Sequence, residues 1–336
     1  MDLKKNWIIA EIGSVHDGSF GNALKLIEAA AASGANCVKF QTHIAEYETL
    51  KDAPNPSYFK AEPRFDYFKR TSFTLDQWKS LKAKADELGI TFLSSPFALE
   101  AVDLLEEVGV TVYKIPSGEV TNLPLLSKVA STKKTVLLSS GMSTWKELND
   151  AVEILSAKGS QLCLMQCTSM YPCTPERVGI NIIHEMKSKF PNVVIGYSDH
   201  TLGHAAGVLA IAAGANVIEK HFTYSKLMYG SDAKHSMEPQ EFKLFSETLK
   251  EAWSIMANPV DKNLVAEKEM STMKETFQKS IVLSTNLTKG HALSFSDLAF
   301  KKPGDGISAA EASKIVGKKL KASFPADYKL QFEDLE

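Results

Sequence analysis

The strongest constraint on this chain is a count. Eight short β-rich runs alternate with longer helical stretches over about the first 225 residues, at 7–13, 37–42, 91–97, 112–117, 135–141, 161–171, 193–199 and 217–222. Apolar residues at helical spacing fill the intervals, as at 23–33, 75–88, 99–108, 145–157 and 204–213. Several of these stretches run into a glycine just before the next strand, at Gly34, Gly89, Gly109 and Gly214. A glycine there ends a helix in the left-handed conformation without steric cost. Eight β/α units is the number that closes a (β/α)8 TIM barrel. An open doubly wound sheet is the competing α/β arrangement. It usually has fewer strands, and no Gly-x-Gly-x-x-Gly loop follows any strand here.

Beyond the eighth run the pattern changes. A helical stretch covers 239–256, the turn Ala257-Asn258-Pro259-Val260 follows, and 261–279 reads as a polar linker with some helix. From Ser280 onward, short strands and Gly-containing turns surround one short helix. This is a β-rich module of about 55 residues, a size that folds alone only marginally. The expected division is a catalytic barrel at 1–260, a linker at 261–279 and a small module at 280–336.

Charge narrows the partners. Lys+Arg is 38 and Asp+Glu is 40, for a net charge of -2, whereas a nucleic-acid binder normally carries a basic excess. No run of roughly 18 apolar residues marks a membrane span. The apolar N-terminal stretch is short and broken by Glu11, unlike a signal peptide. Four cysteines in a chain of this length do not form a disulfide scaffold, so a reduced cytoplasmic setting is expected. Cys163, Cys167 and Cys173 lack paired Cys-x-x-Cys spacing and read as small apolar core residues.

In a barrel the C-terminal ends of the strands form the active-site face. Here those ends carry Glu11, Lys39 and Gln41, Ser94 and Ser95, Lys114, Ser117 and Glu119, Ser139 and Ser140, Gln166, Thr168 and Tyr171, Ser198 with Asp199 and His200, and Glu219 with Lys220 and His221. Strand side chains alternate, so Lys39 and Gln41 share a face, as do Glu219 and His221. If that face is the lumen, Lys220 points at the helices and needs a buried partner. Any single hydroxyl in this set fits a structural role, bonded to backbone. Two lysines, three glutamates and two histidines aimed at one mouth do not. Lys39 and Lys114 with serine hydroxyls suit a phosphate or carboxylate. His200 and His221, on adjacent strands, suit a divalent metal with open positions for substrate. His16, His43 and His235 are weaker candidates.

These residues fall in motifs that resemble the sialic acid synthase family of phosphoenolpyruvate-dependent nonulosonate synthases. The motifs are Ala10-Glu11-Ile12-Gly13-Ser14-Val15-His16-Asp17-Gly18, Lys39-Phe40-Gln41-Thr42, Ser94-Ser95-Pro96-Phe97, Tyr113-Lys114-Ile115-Pro116-Ser117-Gly118-Glu119, Ser139-Ser140-Gly141-Met142, Gln166-Cys167-Thr168-Ser169-Met170-Tyr171-Pro172, Tyr197-Ser198-Asp199-His200-Thr201 and Glu219-Lys220-His221-Phe222-Thr223. The tail from Lys302-Pro303-Gly304-Asp305-Gly306 to Val316-Gly317-Lys318-Lys319 resembles that family's antifreeze-like (SAF) domain.

The resemblance implies condensation of phosphoenolpyruvate with an N-acetylated aldohexose, typically N-acetylmannosamine, releasing phosphate and a nine-carbon 2-keto acid. It implies a divalent metal, Mn2+ with Mg2+ or Co2+ as alternatives, on His200 and His221. Lys39, Lys114, Ser95, Ser117, Ser139 and Ser198 would hold phosphoenolpyruvate. Glu11, Glu119 and Glu219 would be the catalytic carboxylates. Tyr171 and Asp232 would meet the sugar, with Gln41 nearby. It also implies a domain-swapped homodimer in which the small domain of one subunit covers the other's barrel mouth.

Three positions depart from the family pattern. Val15 stands where Asn is usual, Ser169 where Asn is frequent, and Lys302 where an arginine contacts the sugar's N-acetyl group. Lysine keeps the charge and loses the planar fork. These departures bear on the acceptor. A related synthase making legionaminic or pseudaminic acid from a diacetamido-trideoxyhexose is the alternative within the class, and phosphorylated acceptors would call for further basic residues. A sugar-binding protein without catalysis is the alternative outside it.

Overall fold

Alternation along the strands builds the barrel and its mouth together. In the computed structural model, which describes residues 1–56 and 59–336, eight parallel strands close into a barrel in chain order. They are Trp7–Gly13 (β1), Cys37–Thr42 (β2), Thr91–Pro96 (β3), Val112–Ile115 (β4), Thr135–Ser139 (β5), Leu162–Cys167 (β6), Val194–Asp199 (β7) and Val217–His221 (β8). Closure is made by β1 against β8, with Ile9 opposite Glu219 and Glu11 opposite His221.

One set of side chains faces the helices and the other the lumen. Ile8, Ala10, Ile12, Val38, Phe40, Tyr113, Leu138, Tyr197 and Ile218 join the main core against the outer helices. Ile9, Cys37, Leu93, Val112, Leu137, Cys163, Met165 and Val217 form a separate apolar plug with Leu3. Two residues further along the strands, the lumen turns polar: Glu11, Lys39, Ser95, Lys114, Ser139, Cys167 and Glu219. Two residues of strand rise about 6.6 Å, so the floor of the site rests directly on the plug.

The helices follow local signals. Thr74 and Thr144 cap Leu75–Glu87 and Trp145–Ser156 with reciprocal capping boxes to Gln77 and Glu147. Helices at Arg64–Thr71, Leu123–Ser131 and Ile180–Lys189 lie outside the stretches singled out from sequence. Leu123–Ser131 is announced by Asn122, which accepts the Leu125 N–H, and by Pro124 in the first turn. Six strands, β3 to β8, are shorter than the sequence suggests. β4 stops at Ile115 because Pro116 leads into a 3-10 turn at Ser117–Glu119. β6 stops at Cys167, where Thr168 turns to donate to the Arg177 carbonyl.

Lys220 does face the helices, and its partner is Asp199. Its ammonium donates to Asp199 Oδ2 at 2.8 Å and to the carbonyls of Thr201 and Gly203. Asp199 in turn accepts from Tyr197 and the Thr201 N–H. Removing one member of such a pair strands the other charge, at a cost of about 3–5 kcal/mol. Lys220→Met is therefore expected to lose stability of that order in urea denaturation. Lys220→Met with Asp199→Asn is expected to recover most of it, because the stranded charge is gone. Equal losses in the two variants would contradict this.

The chain divides into two compact units, Met1–Ala257 and Asn258–Glu336. In the second, short helical segments run from Lys262 to Phe277, started by Asp261, which accepts the N–H groups of Asn263 and Leu264. An antiparallel pair, Ser280–Leu283 (β9) with Leu298–Lys301 (β10), follows. Its core gathers Ile281, Leu283, Leu293, Leu298, Ile307, Ile315, Leu320 and Leu330. Among the described residues no helix is long and apolar enough to cross a membrane.

Candidate active site

At the floor of the mouth, two lysines converge on one glutamate. Lys39 Nζ donates to Glu219 Oε1 at 2.9 Å, and Lys114 Nζ donates to both Glu219 oxygens at 3.0 Å. Ser198 Oγ donates to the same carboxylate at 3.0 Å. Burial works against the charge of Glu219, yet Lys114 and Lys39 outweigh it and hold the carboxyl well below the usual range. Glu219 is thus an anion committed to placing two cations.

Glu11 is different, although only two strand residues offset it. Its Oε1 accepts from Gln41 Nε2 at 2.7 Å and lies 3.4 Å from Lys39 Nζ, while Oε2 is buried with no partner. Burial pushes its carboxyl up to about 7, against the pull of Lys39. Two carboxylates beside the same lysine therefore differ in kind: one fixed, one able to exchange a proton near neutrality. A bulge in β1 between Glu11 and Gly13 shapes this corner. Gly13 is left-handed (φ 53°), and a Cβ there would sit 2.8 Å from Asp232 Oδ2 and 3.2 Å from Gln41 Nε2. Only glycine fits both conditions.

The floor cavity is about 60 Å³ and is lined by Glu11, Lys39, Gln41, Ser95, Lys114, Ser117, Ser139, Cys167, Tyr171, Ser198, His200, Glu219 and His221. Ser95 Oγ and Ser139 Oγ are buried without partners. Unpaired buried hydroxyls are costly, and here they lie beside two ammonium groups, as an anion site requires. Ser140 instead turns away and donates to Gln166. Ser117 Oγ accepts from the Gly141 N–H at 3.0 Å.

His200 and His221 face one another across the mouth, ring centroids 5.4 Å apart, with the Tyr171 ring beside both. Burial holds His221 down to about 4, so it is a neutral imidazole, and its Nδ1 is buried without a hydrogen-bond partner. Asp232 Oδ2 is 3.9 Å from that nitrogen. His200 Nδ1 lies 2.9 Å from the Thr168 carbonyl, which orients the ring. Burial opposes a charge on His200, but its neighbour Cys167 and that carbonyl raise its pKa. Among the described residues no three His, Cys, Asp or Glu side chains are grouped as a metal site. A neutral, unpartnered imidazole facing a second ring does fit a two-nitrogen site with open positions.

Above the floor lies a larger cavity of about 370 Å³ that shares Gln41, Phe97, Pro116, Ser117, Tyr171 and His221 with it. Its walls are mainly apolar: Phe59, Tyr67, Phe68, Phe97 and Met142, with Arg64 stacked 5.2 Å from the Phe68 ring. Asp232 and Ser231 lie on its rim.

One candidate stands apart from this assembly, and another belongs to the second unit. Glu119 lines neither cavity; its carboxylate accepts from Asn122 and is raised chiefly by burial. Lys302 belongs to the C-terminal unit, where its ammonium lies 5.0 Å from the Phe277 ring centroid. Among the weaker histidines, His16 is a core residue, tilted against Phe73 with ring centroids 4.5 Å apart and lowered to about 3 by burial. His43 lines the outer cavity. One residue read as core from sequence is part of the site. Cys163 lies in the plug, but Cys167, four residues on, lines the floor cavity 3.9 Å from His200 Nδ1. Burial resists its ionisation, but His200 and Lys114 lower the thiol to about 7. Its place in the polar layer, two residues past Met165, was the signal available in the sequence.

Comparison with known proteins identifies the family. Residues 26–261 match the NeuB family and residues 278–336 match the SAF domain. The chain is 38% identical over 333 residues to the N,N'-diacetyllegionaminic acid synthase of Campylobacter jejuni, covering 97% of this chain and 98% of that protein. It is 31% identical to the N-acetylneuraminate-9-phosphate synthase of Mus musculus, covering 98% and 92%. The crystal structure of the N-acetylneuraminic acid synthetase of Leptospira borgpetersenii, in complex with citrate, superposes with a TM-score of 0.70 at 30% identity, over 80% of this chain and 92% of that one. The barrel, its polar floor and the small antiparallel module thus belong to a member of the NeuB family with a C-terminal SAF domain.

Proposed function

We propose that the protein condenses phosphoenolpyruvate with a diacetamido-trideoxyhexose and water, giving a nonulosonic acid of the legionaminic or pseudaminic type and phosphate. The observation that carries the acceptor reading is the apolar outer cavity. A deoxygenated, twice-acetylated sugar presents methyl groups to such walls. N-acetylmannosamine presents hydroxyls that the aromatic side chains leave unpaired. A phosphorylated acceptor would call for several cations, and among the described lining residues Arg64 is the one Lys or Arg. The similarity to a legionaminic acid synthase supports the same choice.

Lys39 and Lys114, with the free hydroxyls of Ser95 and Ser139 and with Ser198, hold the phosphate and carboxylate of phosphoenolpyruvate. Ser117 closes the same floor. Carbon 3 attacks the open-chain aldehyde, whose sugar lies in the outer cavity against Tyr171, Asp232 and Gln41. Lewis-acid polarisation of the aldehyde oxygen is what a divalent cation on His200 and His221, Mn2+ or else Mg2+ or Co2+, supplies when bound. Carbon 2, now cationic, takes water. Glu11 removes the water proton, because its carboxyl exchanges protons near neutrality. Glu219 stays ionised and keeps both lysines in place. The tetrahedral centre then expels phosphate. Glu119, outside both cavities, would reach the acceptor only after a movement of its turn. A partner subunit's SAF domain over the mouth would bring that subunit's lysine at position 302 to the acceptor, in the dimer that the family resemblance implies.

The test is phosphate release with Mn2+ across N-acetylmannosamine, its 6-phosphate and the diacetamido-trideoxyhexoses. The expected result is kcat/KM about 10- to 100-fold higher for one trideoxy acceptor, the range a hydrophobic pocket gives against an added hydroxyl. A preference for N-acetylmannosamine would overturn the acceptor reading and leave the reaction class standing.

A further inference from the structure

A buried chain of hydrogen bonds leads from Glu11 out of the floor cavity. Gln41 Nε2 donates to Glu11 Oε1 at 2.7 Å, Gln41 Oε1 lies 3.1 Å from His43 Nε2, and His43 Nδ1 lies 2.7 Å from Glu48 Oε1. Glu48 is set by its other oxygen, which accepts the Ile44 N–H. The side chains of His43 and Glu48 are each 5% exposed. The imidazole lies flat between Phe68 and Phe97, centroids 3.7 and 4.1 Å away.

The donors and acceptors fix the direction of the chain. An ionised Glu11 only accepts, so the Gln41 amide nitrogen must face it and the amide oxygen must face His43. His43 Nε2 then has to donate. Its Nδ1 faces a carboxylate and donates as well. With the amide in that orientation both ring nitrogens face acceptor oxygens, Gln41 Oε1 and Glu48 Oε1, and the ring lies between two aromatic faces. A ring with a bare Nε2 would turn the amide round and point its oxygen at Glu11, repelling the ionised form.

We propose that His43 and Glu48 form a positioning dyad that acts through Gln41 to hold Glu11 as the proton acceptor at carbon 2. The dyad touches neither phosphoenolpyruvate nor the reacting atoms. It rests on the reaction proposed above. Three side chains in series carry one effect, so removing any link should cost about the same, and removing two should cost no more.

The experiment is a double-mutant cycle on the full-length protein. His43→Ala and Gln41→Ala are each expected to lower kcat roughly 10- to 100-fold, the scale of lost orientation. KM for phosphoenolpyruvate should stay within about threefold, and the double variant should match the single ones within about threefold. Multiplying losses would overturn the proposal, as would losses confined to KM. Because His43→Ala opens a gap between two rings, Glu48→Gln is measured beside it. This variant keeps the shape and removes the charge, and it should lose kcat at an unchanged melting temperature. A full kcat in folded Glu48→Gln would also overturn the dyad. Histidine nitrogen NMR separates this proposal from the reaction. Wild-type His43 should show two protonated ring nitrogens, and a bare Nε2 would refute the dyad even in an active enzyme. A protein silent with every acceptor but with the doubly protonated ring would refute the reaction and retain the hydrogen-bond chain.

Discussion

Glu219→Gln is expected to lose both folding stability and turnover. The carboxylate is the shared partner of Lys39 and Lys114, all three nearly fully buried. An amide keeps the shape and removes the charge, leaving two ammonium groups facing each other in a buried floor. Stranding a buried charge costs about 3–5 kcal/mol, and here two are left. In urea titration the variant should fall by at least that range. Its phosphate release should fall by a factor of ~1000 or more, because the groups that hold the substrate anion lose their positions. Inorganic phosphate should raise the variant's melting temperature more than the wild type's, since an anion restores the missing charge. The pH dependence has a definite sign. Glu219 titrates lower in the folded chain than its ordinary 4.5. Its contribution is therefore complete above that value and is lost as pH falls below it. The wild type should lose stability on that side and the variant should not. A variant as stable as wild type would mean that the lysines do not depend on this carboxylate.

Glu11→Gln is expected to do the opposite to stability while also stopping the reaction. Folding raises Glu11 from its ordinary 4.5 to about 7. A group raised by folding contributes stability below its unfolded value, and this is lost as pH rises through the folded one. At pH 8 the ionised, buried Glu11 thus costs the fold roughly 3 kcal/mol. Glutamine carries no such charge. The variant should be at least as stable as wild type at pH 8 and closest to it near pH 5. Its kcat should fall about 100- to 10,000-fold, the range for loss of a general base. A large loss of stability at pH 8 would show that Glu11 is a structural anion like Glu219. Unchanged turnover would remove it from the mechanism.

The contrast between these two residues shows what a sequence carries and what it does not. Both were visible as carboxylates on the lumen side of adjacent strands, because a period of two decides facing. The same rule put Lys39 with Gln41 and turned Lys220 outward to a partner, which the structure identifies as Asp199. Roles depend on distances between strands that are far apart in the chain. Lys39 is 180 residues from Glu219 and Lys114 is 105. No local pattern tells that both lysines choose Glu219 and leave Glu11 unevenly served. The loops were read less well than the strands. Glu119 sits in a motif but on a 3-10 turn after Pro116, where no alternation rule governs direction. The outer wall comes partly from the helix Arg64–Thr71, whose eight mostly polar residues are too short a stretch to stand out in the sequence. Cys167 was legible in principle, since it stands in register with Ser198 and, one strand further, Glu219, but its residue type pointed to the core.

The most direct test of the central claim follows the bridging oxygen of phosphoenolpyruvate. If water adds at carbon 2 and the tetrahedral centre expels phosphate, the bond broken is carbon to oxygen. With 18O in the bridging position and an accepted amino sugar, the label is expected to leave in inorganic phosphate, one phosphate per 2-keto acid formed, and the keto oxygen to come from solvent. Label retained in the organic product, or phosphate released at the same rate without acceptor, would contradict it.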